Sequence, residues 1–246
     1  MITRNVCLLI EYEGTHYAGW QWQKNANTVQ ETLTNAVRKV LQEDVKIHGA
    51  GRTDAGVHAL GQVANFTTYS SIPAKQLLRA INFYLPQDIT VKEVKDVEDN
   101  FHARYSAKSK IYQYTLLNDW LRTSLNRNFC YTYGFPLDMS KMIMATQHLI
   151  GTHDFTSFTT KALTDKNRIR TIKRLEIKKE GRYIYFIVEA DGFLYKMVRA
   201  IVGTLLEIGR GEMDISHIRT LLDIRSRKLA GPTVPAKGLC LKEVKY

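Results

Sequence analysis

Thr28-Val-Gln-Glu-Thr-Leu-Thr-Asn-Ala-Val-Arg-Lys-Val-Leu-Gln42 reads as an amphipathic helix, because Val29, Leu33, Val37 and Leu41 fall on one stripe. Thr28 and Glu31 mark its start, at the spacing where a threonine hydroxyl and a glutamate three residues on satisfy each other's orphan amides. A strand, Val6 to Glu13, and an aromatic loop, Tyr17-Ala-Gly-Trp-Gln-Trp22, precede it. Short strands follow at Val45 to His48 and around Gln62 to Thr67; Pro73 opens a second helix with Leu77, Leu78, Ile81 and Leu85 on its buried side. Ile89 to Val97 is the last strand of this run. Strand, helix, strand, strand, helix, strand is the order of a ferredoxin-like unit, an antiparallel sheet with helices on one face.

A second cycle of similar order follows without a sequence repeat. Strand Ile111 to Leu117 leads to a helix capped by Asp138 and closed by Gly151; a hairpin then turns at Glu180-Gly181 between Ile169 to Lys178 and Tyr183 to Ala190. Helix Phe193 to Ile208, a short helix Ser216 to Asp223 and a strand Leu239 to Tyr246 complete the pattern. The expected fold class is α+β, with two ferredoxin-like halves spanning residues 1–105 and 106–246.

With 246 residues, 44% hydrophobic and 24% charged, the chain fits neither a collagenous nor a disordered class. No aliphatic run approaches the roughly 20 residues of a membrane-crossing helix, and Val6 to Ile10 lacks the features of a secretory signal, so a cytoplasmic location without membrane partners is expected. Cys7, Cys130 and Cys240 lie far apart with no zinc-ligand spacing, which disfavours disulfides and structural zinc. Lys+Arg total 35 against 24 Asp+Glu, a net charge of +11 that suits a polyanion such as nucleic acid or simply a soluble surface. Residues 161–182 hold nine basic and three acidic side chains, a candidate RNA-facing surface or a solvated hairpin.

Gly49-Ala-Gly-Arg-Thr-Asp-Ala-Gly-Val-His58 sets three glycines around Arg52 and Asp54. Glycines allow positive φ and close backbone approach, so these two side chains are presented on a tight loop leaving a strand. The loop is neither a GxxxxGK[ST] phosphate loop nor a GxGxxG turn. Asp54 is then either a functional carboxylate or the side chain of an Asx-turn or helix N-cap. Asp54 and His58 are four apart, but a glycine-rich loop is no helix face, so a metal site is not expected. Glu11 and Glu13 alternate onto one side of a strand, as a paired-carboxylate site or as surface charge; Trp20 and Trp22 suit base stacking or packing equally.

Gly51-Arg-Thr-Asp-Ala-Gly-Val-His-Ala59 resembles the signature of the tRNA pseudouridine synthase A family. The resemblance continues through Tyr17 to Gln23, Phe101-His-Ala-Arg-Tyr-Ser-Ala107, Lys110-Ile-Tyr-Gln-Tyr114, Gly151 to Phe158, Phe193 to Gly203 and Gly238 to Tyr246. It implies a homodimer that isomerises uridine to pseudouridine in the anticodon stem-loop of tRNA, at positions 38, 39 and 40, in an RNA cleft between the halves. No cofactor and no metal are implied.

By the same resemblance Asp54 is the catalytic carboxylate, acting on the ribose either as nucleophile at C1′ or as base at C2′. Arg199 would favour its ionised form; read without the resemblance, Arg199 is a helical arginine with the small Gly203 four residues on. Alternation puts Tyr112, Tyr114 and Leu116 on one strand face, and Tyr112 aligns with the substrate-stacking tyrosine while Tyr114 is left to packing. Leu239 resembles the apolar residue that closes the uracil pocket, or is plain core. Arg52 matches the arginine that contacts the extruded nucleotide, since a uridine stacked in a stem must be pulled out before reaction. Two other classes stand beside this reading. One is an RNA-binding module without turnover; the other is a metal-dependent nuclease using Asp54 and His58.

Overall fold

The computed structural model describes residues 3–160 and 167–246, and the chain forms two compact units. The first runs to Lys108 and takes in Leu241–Tyr246; the second is Ser109–Cys240.

In the first unit β1 (Arg4–Tyr12), α1 (Val29–Leu41), β2 (His48–Gly49), β3 (His58–Thr68), α2 (Ala74–Tyr84) and β4 (Ile89–Val97) follow one another. β1 lies between β4 and β3, antiparallel to both, and β2 and the end of β10 (Leu239–Lys245) also pair with β3. β1 and β2 are thus parallel with β3 between them, the split βαβ arrangement, and the order β4-β1-β3-β2 is that of a ferredoxin-like unit. Val6, Leu8 and Ile10 from β1 and Phe66 from β3 share the core with Val29, Leu33 and Val37 of α1 and Leu77 and Ile81 of α2. α1 starts one residue after Thr28, whose hydroxyl accepts from the Glu31 amide at 3.4 Å. The return half of the capping box is not made, because the Glu31 carboxylate accepts from the Trp22 indole. β2 is shorter and later than expected; only His48 and Gly49 meet β3 before the chain leaves for the Asp54 loop.

The second unit holds β5 (Ser109–Leu117), β6 (Tyr131–Thr132), α3 (Met139–Thr146), β7 (Gly151–Asp154), β8 (Ile169–Glu180), β9 (Tyr183–Ala190), α4 (Met197–Arg210) and α5 (His217–Ile224). β9 pairs antiparallel with both β5 and β8, so β5, α3 and β8 form a second split βαβ unit, with β7 added outside β8. Ile184, Phe186, Val188 and Ala190 of β9 alternate into the core, where α4 buries Val198, Ile201, Val202 and Leu205. Two boundaries depart from the expected pattern. α3 is capped by Asp138, which accepts from Lys141 N at 3.0 Å, but it ends at Thr146; Gly151, at φ +109°, opens β7 instead of closing the helix. α4 begins at Met197 and not Phe193, because Lys196 adopts a left-handed φ of 60° that helical backbone does not allow. The hairpin at Gly181 is as expected, with that glycine at φ 57°.

Candidate active site

β2 runs into the loop Ala50–Val57, and every strand and turn around that loop contributes to fixing it. Ala50 N donates to Val63 O at 2.7 Å, and Gln62 Nε2 donates to Gly51 O at 2.9 Å. The Tyr12 and Thr53 hydroxyls are 2.8 Å apart, Trp20 N donates to Thr53 O at 3.1 Å, and Gly56 N donates to Tyr17 O at 3.2 Å. Val57 N closes a turn onto Asp54 O at 3.1 Å, with Gly56 at φ 76° in the third position, where a type II turn requires glycine. The Gly56 amide, which an Asx-turn would give to the Asp54 side chain, goes to Tyr17, and a strand rather than a helix follows the loop. The helix N-cap role proposed for Asp54 is therefore not present.

The clamp from residues 12–20 works by close approach. A Cβ on Gly19 would overlap the Thr53 carbonyl and come within 3.0 Å of the Asp54 carbonyl carbon; one on Gly14 would overlap Val57 O, and one on Gly49 would overlap the Trp20 indole. Trp20, 1% exposed, is thus the floor of the loop and not a stacking surface, whereas Trp22 is 54% exposed. His58 is buried, and its Nδ1 accepts from Gly14 N at 3.0 Å, so it anchors the loop. With the inner groups engaged, Thr53 is buried, Asp54 is half-buried and Arg52 is exposed. Tyr12, Gly14, Tyr17, Gly19 and Thr53 are functional supports that the sequence reading missed. The aromatic-glycine loop signalled them, but not what they would touch.

The remaining candidates belong to the second unit. Tyr112 and Tyr114 both point to the buried side of β5, as alternation predicts, and Tyr112 meets Phe193 edge-on at 5.0 Å between ring centroids. Tyr114 is fully buried, and its hydroxyl donates to Pro235 O at 2.9 Å. Burial pushes that phenol above its ordinary range, against the opposing pull of the Arg199 charge. Arg199 donates from Nε to Val234 O at 2.8 Å, while Val234 N returns to Arg199 O. Arg199 and Tyr114 therefore hold consecutive carbonyls of one segment. The space beside Arg199 left by Gly203 is occupied by Pro232, whose carbonyl a Cβ would overlap. Thr204 Oγ1 accepts from Gly231 N at 3.0 Å, and Arg227 donates to Ala230 O, Gly231 O and Thr233 Oγ1, completing the anchorage of residues 230–235. Leu239 is buried at the start of β10, after Gly238, which lies against Tyr114. The structure thus gathers Arg52 and Asp54 on one loop, and places Tyr114, Arg199 and the segment leading to Leu239 together in the second unit.

Other polar features resolve into packing and surface pairs. Glu11 pairs with Lys92 at 3.2 Å and Glu13 accepts from the Thr15 hydroxyl, so they form no dyad. Among the described residues there is no group of three His, Cys, Asp or Glu side chains able to hold a metal ion. Residues 161–166 of the basic stretch lie outside the described residues. Within the rest, Arg174 and Lys178 pair with Glu176, Arg182 pairs with Asp119, and Lys173 and Lys179 are exposed. No described helix is long and apolar enough to cross a membrane.

The family model for tRNA pseudouridine synthase matches residues 8–106 and 145–246. A tRNA pseudouridine synthase A of Thermoanaerobacter sp. is 49% identical over 243 residues, 99% of this chain and 100% of that protein. The tRNA pseudouridine synthase A of Acetivibrio thermocellus is 47% identical over the same shares. Among solved structures, a chain of a Cbf5-Nop10-Gar1 complex matches with a TM-score of 0.38 at 12% identity, covering 96% of this chain; this chain spans 57% of that one.

Proposed function

We propose, from the premise that the chain belongs to the tRNA pseudouridine synthase family and is an isomerase converting uridine to pseudouridine in tRNA, that its targets are uridines 38, 39 and 40 of the anticodon stem-loop. The single observation that carries the mechanism is the immobilised loop Ala50–Val57, which presents Asp54 half-buried and Arg52 exposed two residues before it. In this isomerisation the N1–C1′ bond breaks, the base turns, and a C5–C1′ bond forms. The C5 proton leaves and N1 gains one, so no redox partner or energy-rich donor is needed. The Asp54 side chain acts on the ribose at C1′ or C2′, and a preorganised loop keeps it within reach without reordering at the moment of reaction. Arg52 takes the backbone of the extruded nucleotide, where a guanidinium pairs well with phosphate.

Tyr112, Arg199 and Leu239 are assigned to the substrate as well: Tyr112 to stack on the detached uracil, Arg199 to bind it through its guanidinium, and Leu239 to cover it with an apolar side chain. The first unit carries the Asp54 loop and the second the tyrosine and a basic surface for tRNA phosphates. The working form is a homodimer in the cytoplasm, without cofactor. The test is tritium release from an anticodon-arm RNA whose uridines are labelled at C5. Release by the wild-type chain and its loss in Asp54→Asn support this reading; release from a T-arm hairpin instead would refute the assignment of target.

A further inference from the structure

Phe101-His-Ala-Arg-Tyr-Ser-Ala107 has no part in the chemistry above, yet the first unit fastens it at nearly every residue. Asn5 Nδ2 donates to Phe101 O at 2.8 Å, Asn65 Oδ1 accepts from Ala103 N at 2.9 Å, and the Tyr246 hydroxyl donates to Ala103 O at 2.7 Å. Asn5 and Asn65 are both buried and bonded to each other at 2.9 Å. Buried amides are tolerated only when satisfied, so these two and the turn they hold form one rigid piece. Within the turn, Ser106 N donates to His102 O and Ser106 Oγ accepts from His102 N. His102 Nδ1 accepts from the amides of Arg104 and Tyr105 at 3.1 and 3.4 Å, which fixes the imidazole plane.

This frame displays a column of rings. His48 and His102 lie 4.8 Å apart between centroids, His102 and Tyr105 4.4 Å, and the Arg104 guanidinium sits 5.6 Å from the Tyr105 centroid. The His48–His102 spacing and the Arg104–Tyr105 distance are within the ranges of aromatic and cation–π attraction, and His102 and Tyr105 are in closer contact still. The inner end of the column is β2, four residues before Arg52, and the outer end is in solvent, with Tyr105 76% exposed. Burial, with the His102 and Lys46 charges beside it, holds His48 below the ordinary imidazole range. A rigidly backed aromatic ring beside a guanidinium matches how unpaired bases are bound: the base stacks and the cation takes the adjoining phosphate. The net charge of +11 favours the same polyanion.

We propose that Tyr105, backed by His102 and His48 and flanked by Arg104, is a stacking site for an unpaired nucleobase of the RNA, next to the nucleotide that enters the Asp54 loop. The proposal rests on the anticodon-arm reading. On binding, Arg104 leaves the ring for a phosphate, and the base takes its place against Tyr105.

The experiment uses the full chain and an anticodon-arm hairpin with 2-aminopurine substituted in turn at each loop base. Binding is followed in the Asp54→Asn background and turnover in the active chain. At one loop position binding should quench the fluorescence. Adding Tyr105→Ala or Tyr105→Leu should abolish the quench and raise Kd about 10-fold, as expected for one lost stacking contact, while Tyr105→Phe keeps both. In the active chain the same substitutions should raise KM by about that factor and leave kcat within about twofold. Arg104→Ala should lower the salt dependence of binding by about one phosphate contact. Unchanged affinity in both Tyr105→Ala and Tyr105→Leu, or a quench that survives them, overturns the stacking site. If the wild-type chain makes no pseudouridine in this hairpin, the anticodon-arm reading itself fails; product with indifference to Tyr105 defeats the stacking site alone.

Discussion

Gly19 lies against Thr53 so closely that a methyl group on its Cα would overlap the Thr53 carbonyl oxygen, and Asp54 is the next residue along. The position of the carboxylate is therefore set by a glycine more than thirty residues earlier in the chain, held at φ 95° where other residues are strained. Gly19→Ala should push the loop outward. Displacements of about 1 Å commonly lower rates about 100-fold, so kcat/KM on anticodon-arm RNA should fall by that order while the chain remains folded. Steady-state kinetics alongside a thermal melt check this.

Tyr112 and Tyr114 share one face of β5 but should respond differently to loss of the hydroxyl. Tyr114→Phe removes the bond to Pro235 O and should lower stability by about 1 kcal/mol, with kcat within about twofold of wild type. Tyr112→Phe should lower kcat at least 10-fold, as expected when a hydroxyl that assists removal of the C5 proton is lost. Denaturation and turnover measured on both variants separate the two tyrosines.

These contrasts show what the sequence carries and what it leaves to the fold. The stripe of Val29, Leu33, Val37 and Leu41 places α1 to within a residue, because a periodic apolar face has one way to meet a core. The loop around Asp54 is legible as a glycine-rich presentation of an acid. Its clamp is not, because Tyr12, Gly14, Tyr17 and Gly19 reach it across the sheet and no local spacing encodes that. Gly203 looks like room for a substrate and is room for Pro232, since composition does not say which backbone fills a gap. The helix expected from Phe193 starts later because Lys196 takes a left-handed conformation, which no apolar periodicity encodes. Tyr112 and Tyr114 alternate together, so periodicity cannot rank them.

Gly203→Ala should destabilise the second unit, since its Cβ would overlap the Pro232 carbonyl and overfilling a packed contact costs about 1–3 kcal/mol. The segment anchored by Arg199, Thr204 and Arg227 should become more susceptible to protease. Limited proteolysis near residues 230–235, compared with the wild type, reads this directly.

Alkaline pH should unfold the protein in a defined window. Burial raises the Cys7 thiol from 9.0 to about 11, so the folded state keeps a proton that the unfolded chain releases first. The stability tied to that group is complete below pH 9 and is lost as pH climbs toward 11. Tyr17, Tyr114 and Tyr246 are raised by burial as well and add to the loss at higher pH. Urea midpoints should therefore fall from pH 9 upward, and Cys7→Val should show a shallower fall in the first part of that range.

The most direct test of the account is nucleoside mass spectrometry, with the modified position mapped, on tRNA incubated with the wild-type chain and with Asp54→Asn. The account predicts pseudouridine at the anticodon-arm uridines with the wild-type chain and none above background with the variant, although the variant still binds the RNA. Pseudouridine formed equally well by Asp54→Asn would contradict it.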